Sequence, residues 1–196
     1  MTGGLPGAAP DERPHPDGRR NSQGVRIDPE VEAEPEPRRA VLSATVKHEP
    51  GVLAAVSGLF SRRQFNIESL TVGPTEDENR ARITLVIEEP DPGVEQAKKQ
   101  LEKLIPVISV TELEPTASQR ELALIKVDGE APDQVQSVAE MYGGEAVDAS
   151  QETVTVEITG SRQKINAAVD TFRRFDIREV VRTGTAALER GAEQTQ

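Results

Sequence analysis

From residue 40 to residue 182 the apolar positions alternate between a period of two and a period near 3.6. Ala40-Val41-Leu42-Ser43-Ala44-Thr45-Val46 is a run of small and β-branched residues and predicts a strand. Glu49-Pro50-Gly51 breaks it, and Val52, Leu53, Val56, Leu59 and Phe60 recur at helical spacing, with Pro50 suited to the first helical position. That helix ends near Gln64, and Asn66-Ile67-Glu68-Ser69-Leu70-Thr71-Val72 alternates as a second strand. A Gly73-Pro74 turn and an acidic loop lead to a third strand over 81–88, whose Ile83, Leu85 and Ile87 share a face. After Pro90-Asp91-Pro92-Gly93, the residues Val94, Ala97, Leu101, Leu104 and Ile105 line one helical face opposite Lys98, Lys99 and Lys103. Pro106 stops that helix, and 107–113 reads as a fourth strand.

The order is βαββαβ, the ferredoxin-like pattern of one antiparallel sheet covered on one side by two helices. Beyond a linker at 115–119 the same order recurs without repeating the residues. It comprises a strand at 121–127, a helix at 133–142, a hairpin of 145–149 with 152–159, a helix at 161–175 capped by Ser161, and a closing strand at 177–182. The expected fold class is α+β, two tandem ferredoxin-like domains at 39–114 and 120–184 with a tail at 185–196. Residues 1–38 hold half of the 14 prolines and a third of the 15 glycines around isolated apolar residues, a composition that predicts a disordered extension. Domains of this size bury only about 60–65 % of their unfolded surface. Each also leaves one sheet face without helices, so pairing with a second subunit is expected.

Composition narrows the chemistry. Acids outnumber bases 34 to 23, a net charge of −11, and the mean field repels phosphate backbones and anionic lipid. The chain has no cysteine and only His15 and His48, which removes thiolate chemistry and leaves almost nothing for a transition-metal cage. No stretch reaches the roughly 18 apolar residues of a membrane span, and no charged-then-apolar leader opens the chain. A cytoplasmic protein with neither nucleic acid nor membrane as partner is expected. An RNA-recognition surface needs aromatic platforms on the central strands, and here Phe60, Phe65, Tyr142, Phe172 and Phe175 fall in or beside helices. No phosphate-binding glycine loop occurs. His48 beside Glu49 has the residue types of an acid/base couple, although a loop histidine with local hydrogen bonds is the plainer reading. No catalytic and no metal-binding residues are expected.

The stretch 48–53 with 65–70 stands apart. Gly51, without a side chain, opens a helix whose free N–H groups carry about half a positive charge, a place for a carboxylate. Asn66 offers a donor and an acceptor, as the two charged ends of an amino acid require. Ile67, Val52 and Leu53 supply apolar surface for a short branched side chain. A plain turn followed by a buried strand start explains the same spacing.

At these residues 39–113 resembles an ACT domain, the small amino-acid-sensing module. Over 39–190 the wording resembles the regulatory (small) subunits of acetolactate synthase, also called acetohydroxyacid synthase. The matching phrases are Glu49-Pro50-Gly51-Val52-Leu53, Gly58-Leu59-Phe60-Ser61-Arg62-Arg63, Asn66 through Thr75, Lys99 through Val107, Arg120 through Val127, and Arg182-Thr183-Gly184. The resemblance implies a non-catalytic chain that binds no cofactor. It would activate a large catalytic subunit carrying thiamine diphosphate, FAD and magnesium, and make it sensitive to a branched-chain amino acid, usually valine. It further implies a homodimer through the ACT domains and an effector site where two of them meet. The site residues would be His48, Glu49, Pro50, Gly51, Val52 and Leu53, with Asn66 and Ile67 from the facing subunit. The family commonly has asparagine at the position of His48 and glycine at that of Gln64. A free-standing ACT sensor acting on a different enzyme or regulator is the alternative, and a small enzyme built on His48 and Glu49 a third reading.

Overall fold

The computed structural model describes residues 36–191. The disorder expected over 1–38 falls, up to residue 35, outside the described residues, as does the tail beyond residue 191. The first lobe runs β1 (Arg38–Lys47), α1 (Val52–Arg63), β2 (Ile67–Pro74), β3 (Arg80–Glu89), α2 (Asp91–Leu101) and β4 (Val107–Glu112). Its antiparallel sheet has the order β2-β3-β1-β4. The second lobe runs β5 (Ser118–Asp128), α3 (Pro132–Met141), β6 (Glu145–Ala149), β7 (Thr153–Gly160), α4 (Arg162–Phe172), a 3-10 turn, β8 (Ile177–Arg182) and β9 (Ala186–Leu188). Its order is β6-β7-β5-β8, with β9 also on β5. Two βαββαβ units in tandem are therefore present, as the periodicity requires.

Alternation along β1 sorts its side chains. Ala40, Leu42, Ala44 and Val46 pack with Ile83, Leu85 and Ile87 under Val56, Leu59 and Phe60 of α1 and Val94, Ala97 and Leu101 of α2. In the second lobe Ala123, Ile125, Val127, Val156 and Ile158 lie under Val135, Ala139, Ile165, Ala168 and Phe172. The half-buried Tyr142 keeps its hydroxyl satisfied by Thr171 Oγ1 at 2.7 Å and the Ala167 carbonyl at 3.2 Å.

Three expectations need correction. α2 ends at Leu101, and Ile105, assigned to its buried face, is 90 % exposed. Proline disfavours helical geometry in the residue before it. The chain instead turns, with Leu104 N–H on the Leu101 carbonyl at 3.0 Å, and presents the Pro106 carbonyl to Lys47 N–H at 2.8 Å. Leu104 alone of the pair packs against the core. β5 begins at Ser118, inside the expected linker, because residues 186–188 of the expected tail form β9 and pair with Ser118, Gln119 and Arg120.

That pairing gives the bare face of the first sheet a partial cover. Val41, Val86, Leu113 and Ala117 form a small cluster with Ala187. Between β8 and β9 the chain swings against β2. Thr185 N–H donates to Ser69 Oγ at 2.8 Å, and Thr71 Oγ1 donates to the Thr183 carbonyl at 3.4 Å. Gly184 sits between them at φ +82°, and a Cβ there would lie 2.7 Å from Ser69 Oγ. Both the backbone conformation and the space demand glycine. Beneath it Glu121, 5 % exposed, is paired with Arg182 and accepts from Thr185 Oγ1 at 2.8 Å.

Gln64 ends α1 in the left-handed region at φ 60°, with Phe65 N–H returning to the Phe60 carbonyl at 3.1 Å. Glycine is the residue that adopts this conformation without a steric cost. Urea denaturation should therefore separate two glycine exchanges. Gly184→Ala is expected to lose more than about 1 kcal/mol through a forced left-handed alanine and a displaced Ser69, and Gln64→Gly to gain up to about 1 kcal/mol.

Candidate functional site

β1 delivers the chain to the loop 48–51 at one end of the first sheet. His48 N–H donates to the Asn79 carbonyl at 2.8 Å, and its Nδ1 donates to the Glu78 carbonyl at 3.3 Å. The ring is thus engaged by the β2–β3 turn, the local bond of a loop histidine, and it makes no hydrogen bond or ion pair with Glu49. An acid/base couple is not assembled there. Glu49 and Pro50 are exposed. Gly51 is the N-cap of α1 at φ 90°, a conformation that favours glycine, although nothing lies within 4 Å of where its Cβ would be. No side chain caps the helix, and the first intrahelical bond runs from Ala55 N–H to the Gly51 carbonyl at 2.9 Å. The amides of Val52 and Leu53 belong to the first turn, whose donors have no carbonyl within the helix. The first turn holds no acidic residue either, so the positive end of the helix dipole is not neutralised by its own sequence.

The side chains divide differently from the expectation. Val52 is 7 % exposed and belongs to the core of its own lobe, so it offers its amide and not its isopropyl group. Leu53 is 45 % exposed and stands ready as apolar surface. Asn66 is exposed just before β2, and Ile67 is half-buried against the first core.

Distance separates the two groups. Ile67 lies opposite Ile87, and Ile87 lies opposite Ala40 near the start of β1. Gly51 follows Lys47, the last residue of β1. The intervening stretch of strand spans roughly 23 Å at about 3.3 Å per residue. The 12 residues of α1 span about 18 Å, in agreement. One small amino acid cannot touch Gly51 and Asn66 of the same chain.

Glu68, the residue after Ile67, is not among the expected site residues. Glu68 accepts from Arg39 Nε at 3.1 Å and is paired with Arg162 at the start of α4. Burial opposes its ionisation, but Arg162 first and Arg39 second override this and hold its carboxyl below the usual carboxylate range. Two arginines far apart in sequence carry no local signal, whereas an acid inside an otherwise apolar alternation is a visible clue.

Other features of the described residues offer less. No group of three or more His, Asp or Glu side chains among them is placed to hold a metal ion. None of their helices is long and apolar enough to cross a membrane. An open cleft of about 540 Å³ beside Asp128, Asp176 and Ile177 shares no residue with the site, and its Asp128 and Arg178 are paired with each other at 2.5 Å.

Comparison with known proteins adds the family. Residues 42–109 match the family described as the AHAS small subunit-like ACT domain, and residues 120–191 match the small subunit of acetolactate synthase. A probable acetolactate synthase small subunit of Methanothermobacter thermautotrophicus is 44 % identical over 163 residues, covering 81 % of this chain and 97 % of that one. The acetolactate synthase small subunit of Bacillus subtilis is 40 % identical over 161 residues, covering 80 % and 93 %. The crystal structure of the acetolactate synthase small subunit from Thermotoga maritima superimposes with a TM-score of 0.75 at 36 % identity, covering 80 % of this chain and 99 % of that one. These relatives are small subunits. Two matched families in tandem, relatives alike over nearly their whole length and a shared fold lead to one conclusion: the chain belongs to the acetolactate synthase small-subunit family, with an ACT domain as its first lobe.

Proposed function

We propose that this chain is the regulatory subunit of acetolactate synthase. It binds and activates the catalytic subunit, which carries thiamine diphosphate, FAD and magnesium, and confers feedback inhibition by a branched-chain amino acid, valine first among them. The observation that supports a two-copy effector site is the separation of Gly51 from Asn66 along one sheet. β2 is an edge strand, and its outer side pairs with no strand among the described residues. Pro74, at the far end of β2, lies opposite Ala81, and Ala81 opposite Val46, beside the loop that holds Gly51. Antiparallel pairing of two β2 edges about a twofold axis therefore brings Asn66 of one copy to the Gly51 end of the other.

In that arrangement the effector carboxylate takes the amides of Val52 and Leu53, with Gly51 leaving room for its approach. Asn66 and the backbone at Ile67 of the second copy take the ammonium end, and Leu53 with Ile67 encloses the side chain. His48, Glu49 and Pro50 form the rim. The site binds a zwitterion and performs no bond chemistry. Its output is a change in how the regulatory dimer engages the catalytic subunit, for which a coupling of about 1–3 kcal/mol is sufficient.

Two measurements test this. The purified chain, given pyruvate and the cofactors, should form no acetolactate. Added to the catalytic subunit, it should raise turnover and make turnover valine-sensitive; no effect on either removes the assignment and favours a free-standing sensor. For the site, Asn66→Ala and Gly51→Asp should abolish inhibition while activation largely persists. Gly51→Ala carries the same backbone strain as Gly51→Asp without its charge, so it should retain more valine affinity by titration calorimetry. Equal affinities for the two would show that no carboxylate sits there.

A further inference from the structure

β2 opens with an irregularity placed at the effector end. Ile67 pairs with Ile87 and Ser69 with Val86, so Glu68 is an extra residue, outside the β3 ladder. A bulge of this kind re-aims one side chain and frees its backbone from the neighbouring strand. Glu68 is aimed at two guanidiniums, Arg39 from β1 and Arg162 from the first residue of α4, which are 31 % and 36 % exposed against 21 % for the acid. Arg39 extends the contact, donating to Gln119 Oε1 at 2.9 Å and to Thr185 Oγ1 at 3.4 Å. Ser69 and Thr71, farther along β2, are already bonded to Thr185 and Thr183. The strand that begins with Ile67, directly after Asn66, is thus gripped by the C-terminal lobe, and its grip nearest the effector is the Glu68 carboxylate.

We infer that Glu68 is a positioning residue that couples effector occupancy at Asn66 and Ile67 to the C-terminal lobe, through the Arg39–Glu68–Arg162 clamp. This rests on the effector reading above. Because Glu68 stands outside the β3 ladder, it can follow a displacement of Asn66 and Ile67 without breaking a ladder pair of its own. The displaced carboxylate carries Arg162, and with it the opening of α4. A residue that merely fastened the lobes would stabilise both states of the strand alike and transmit nothing.

Hydrogen exchange on the full chain, with and without L-valine, tests the coupling. In the wild type valine should slow exchange in both 66–74 and 162–172, the latter by roughly fivefold or more. Glu68→Gln should keep the response in 66–74 and lose it in 162–172. Arg162→Met cuts the clamp from its other end without touching β2, gives the same result, and serves if the first variant does not fold. A response in 162–172 that persists in both variants overturns the inference, as does one that disappears together with that of 66–74. A wild type unresponsive in 66–74 to valine, leucine and isoleucine removes the effector reading and this inference with it.

Discussion

A four-stranded sheet roofed by two helices has only one face protected, and a lobe of this size lacks the interior to tolerate the other face standing open. How the second face is covered governs most of what is distinctive here. The first lobe recruits the linker and β9, so that Val41, Val86 and Leu113 meet Ala117 and Ala187. For β9 to reach that position the chain leaves β8, presses Gly184 between Ser69 and Thr71, and rejoins β5 three residues upstream of its contact with β8. The polar groups carried along are matched one by one: Thr185 with Glu121 and Ser69, and Glu121 with Arg182. Burial of these groups without such partners would oppose folding.

Most of the architecture could be read from the sequence because it rests on local period. Val154, Val156 and Ile158 in β7 alternate so regularly that one face must be interior, and Leu42, Ala44 and Val46 mark the helix-covered face of β1 in the same way, although Val41, Ser43 and Thr45 on its other face are buried too. Expectation and structure part where a nonlocal partner decides the outcome. Ile105 has the spacing of a core residue, yet Pro106 and the waiting Lys47 amide pull its segment out of the helix. Residues 186–188 look like a tail until β5 is available to pair with them. Of the candidate site, Gly51 and Asn66 were visible by residue type, whereas their separation needs the strand register. Glu68 shows as an acid within the alternation, but its role does not, because its partners Arg39 and Arg162 lie 29 and 94 positions away. Glu121 left a stronger trace. It shares the core face of Ala123 and Ile125, and an acid in that series must find a base.

In the proposed effector site the opening of α1 would bind with backbone alone, and such a choice has a chemical logic. Amides at a helix start present partial charge without a side chain of their own, so neither pH near neutrality nor rotamer freedom disturbs them. A lysine or arginine in the same place would add a full charge and accept many anions. In that proposed site, discrimination between a zwitterion and a simple acid would fall to the carboxamide of Asn66, and discrimination among aliphatic side chains to Leu53 and Ile67. One methylene is worth only about 1–3 kcal/mol in such an apolar contact, so packing alone would separate neighbouring branched-chain amino acids only modestly there.

The narrow passage at Gly184 also sets where this polypeptide can change length. Residues 183–185 are fixed at both flanks, by β8 before them and β9 after, and a hydroxyl presses on each side of the glycine. An inserted residue would slide β9 out of step with β5 and flip Ala187 away from the cluster it completes. The Glu76–Asn79 turn is exposed and closes locally through Asp77, so an insertion there shifts no strand from its partner and disturbs, beyond the turn, the hydrogen bonds it makes to His48. Length variation among descendants of this sequence should therefore gather at the β2–β3 turn and avoid the crossing between β8 and β9.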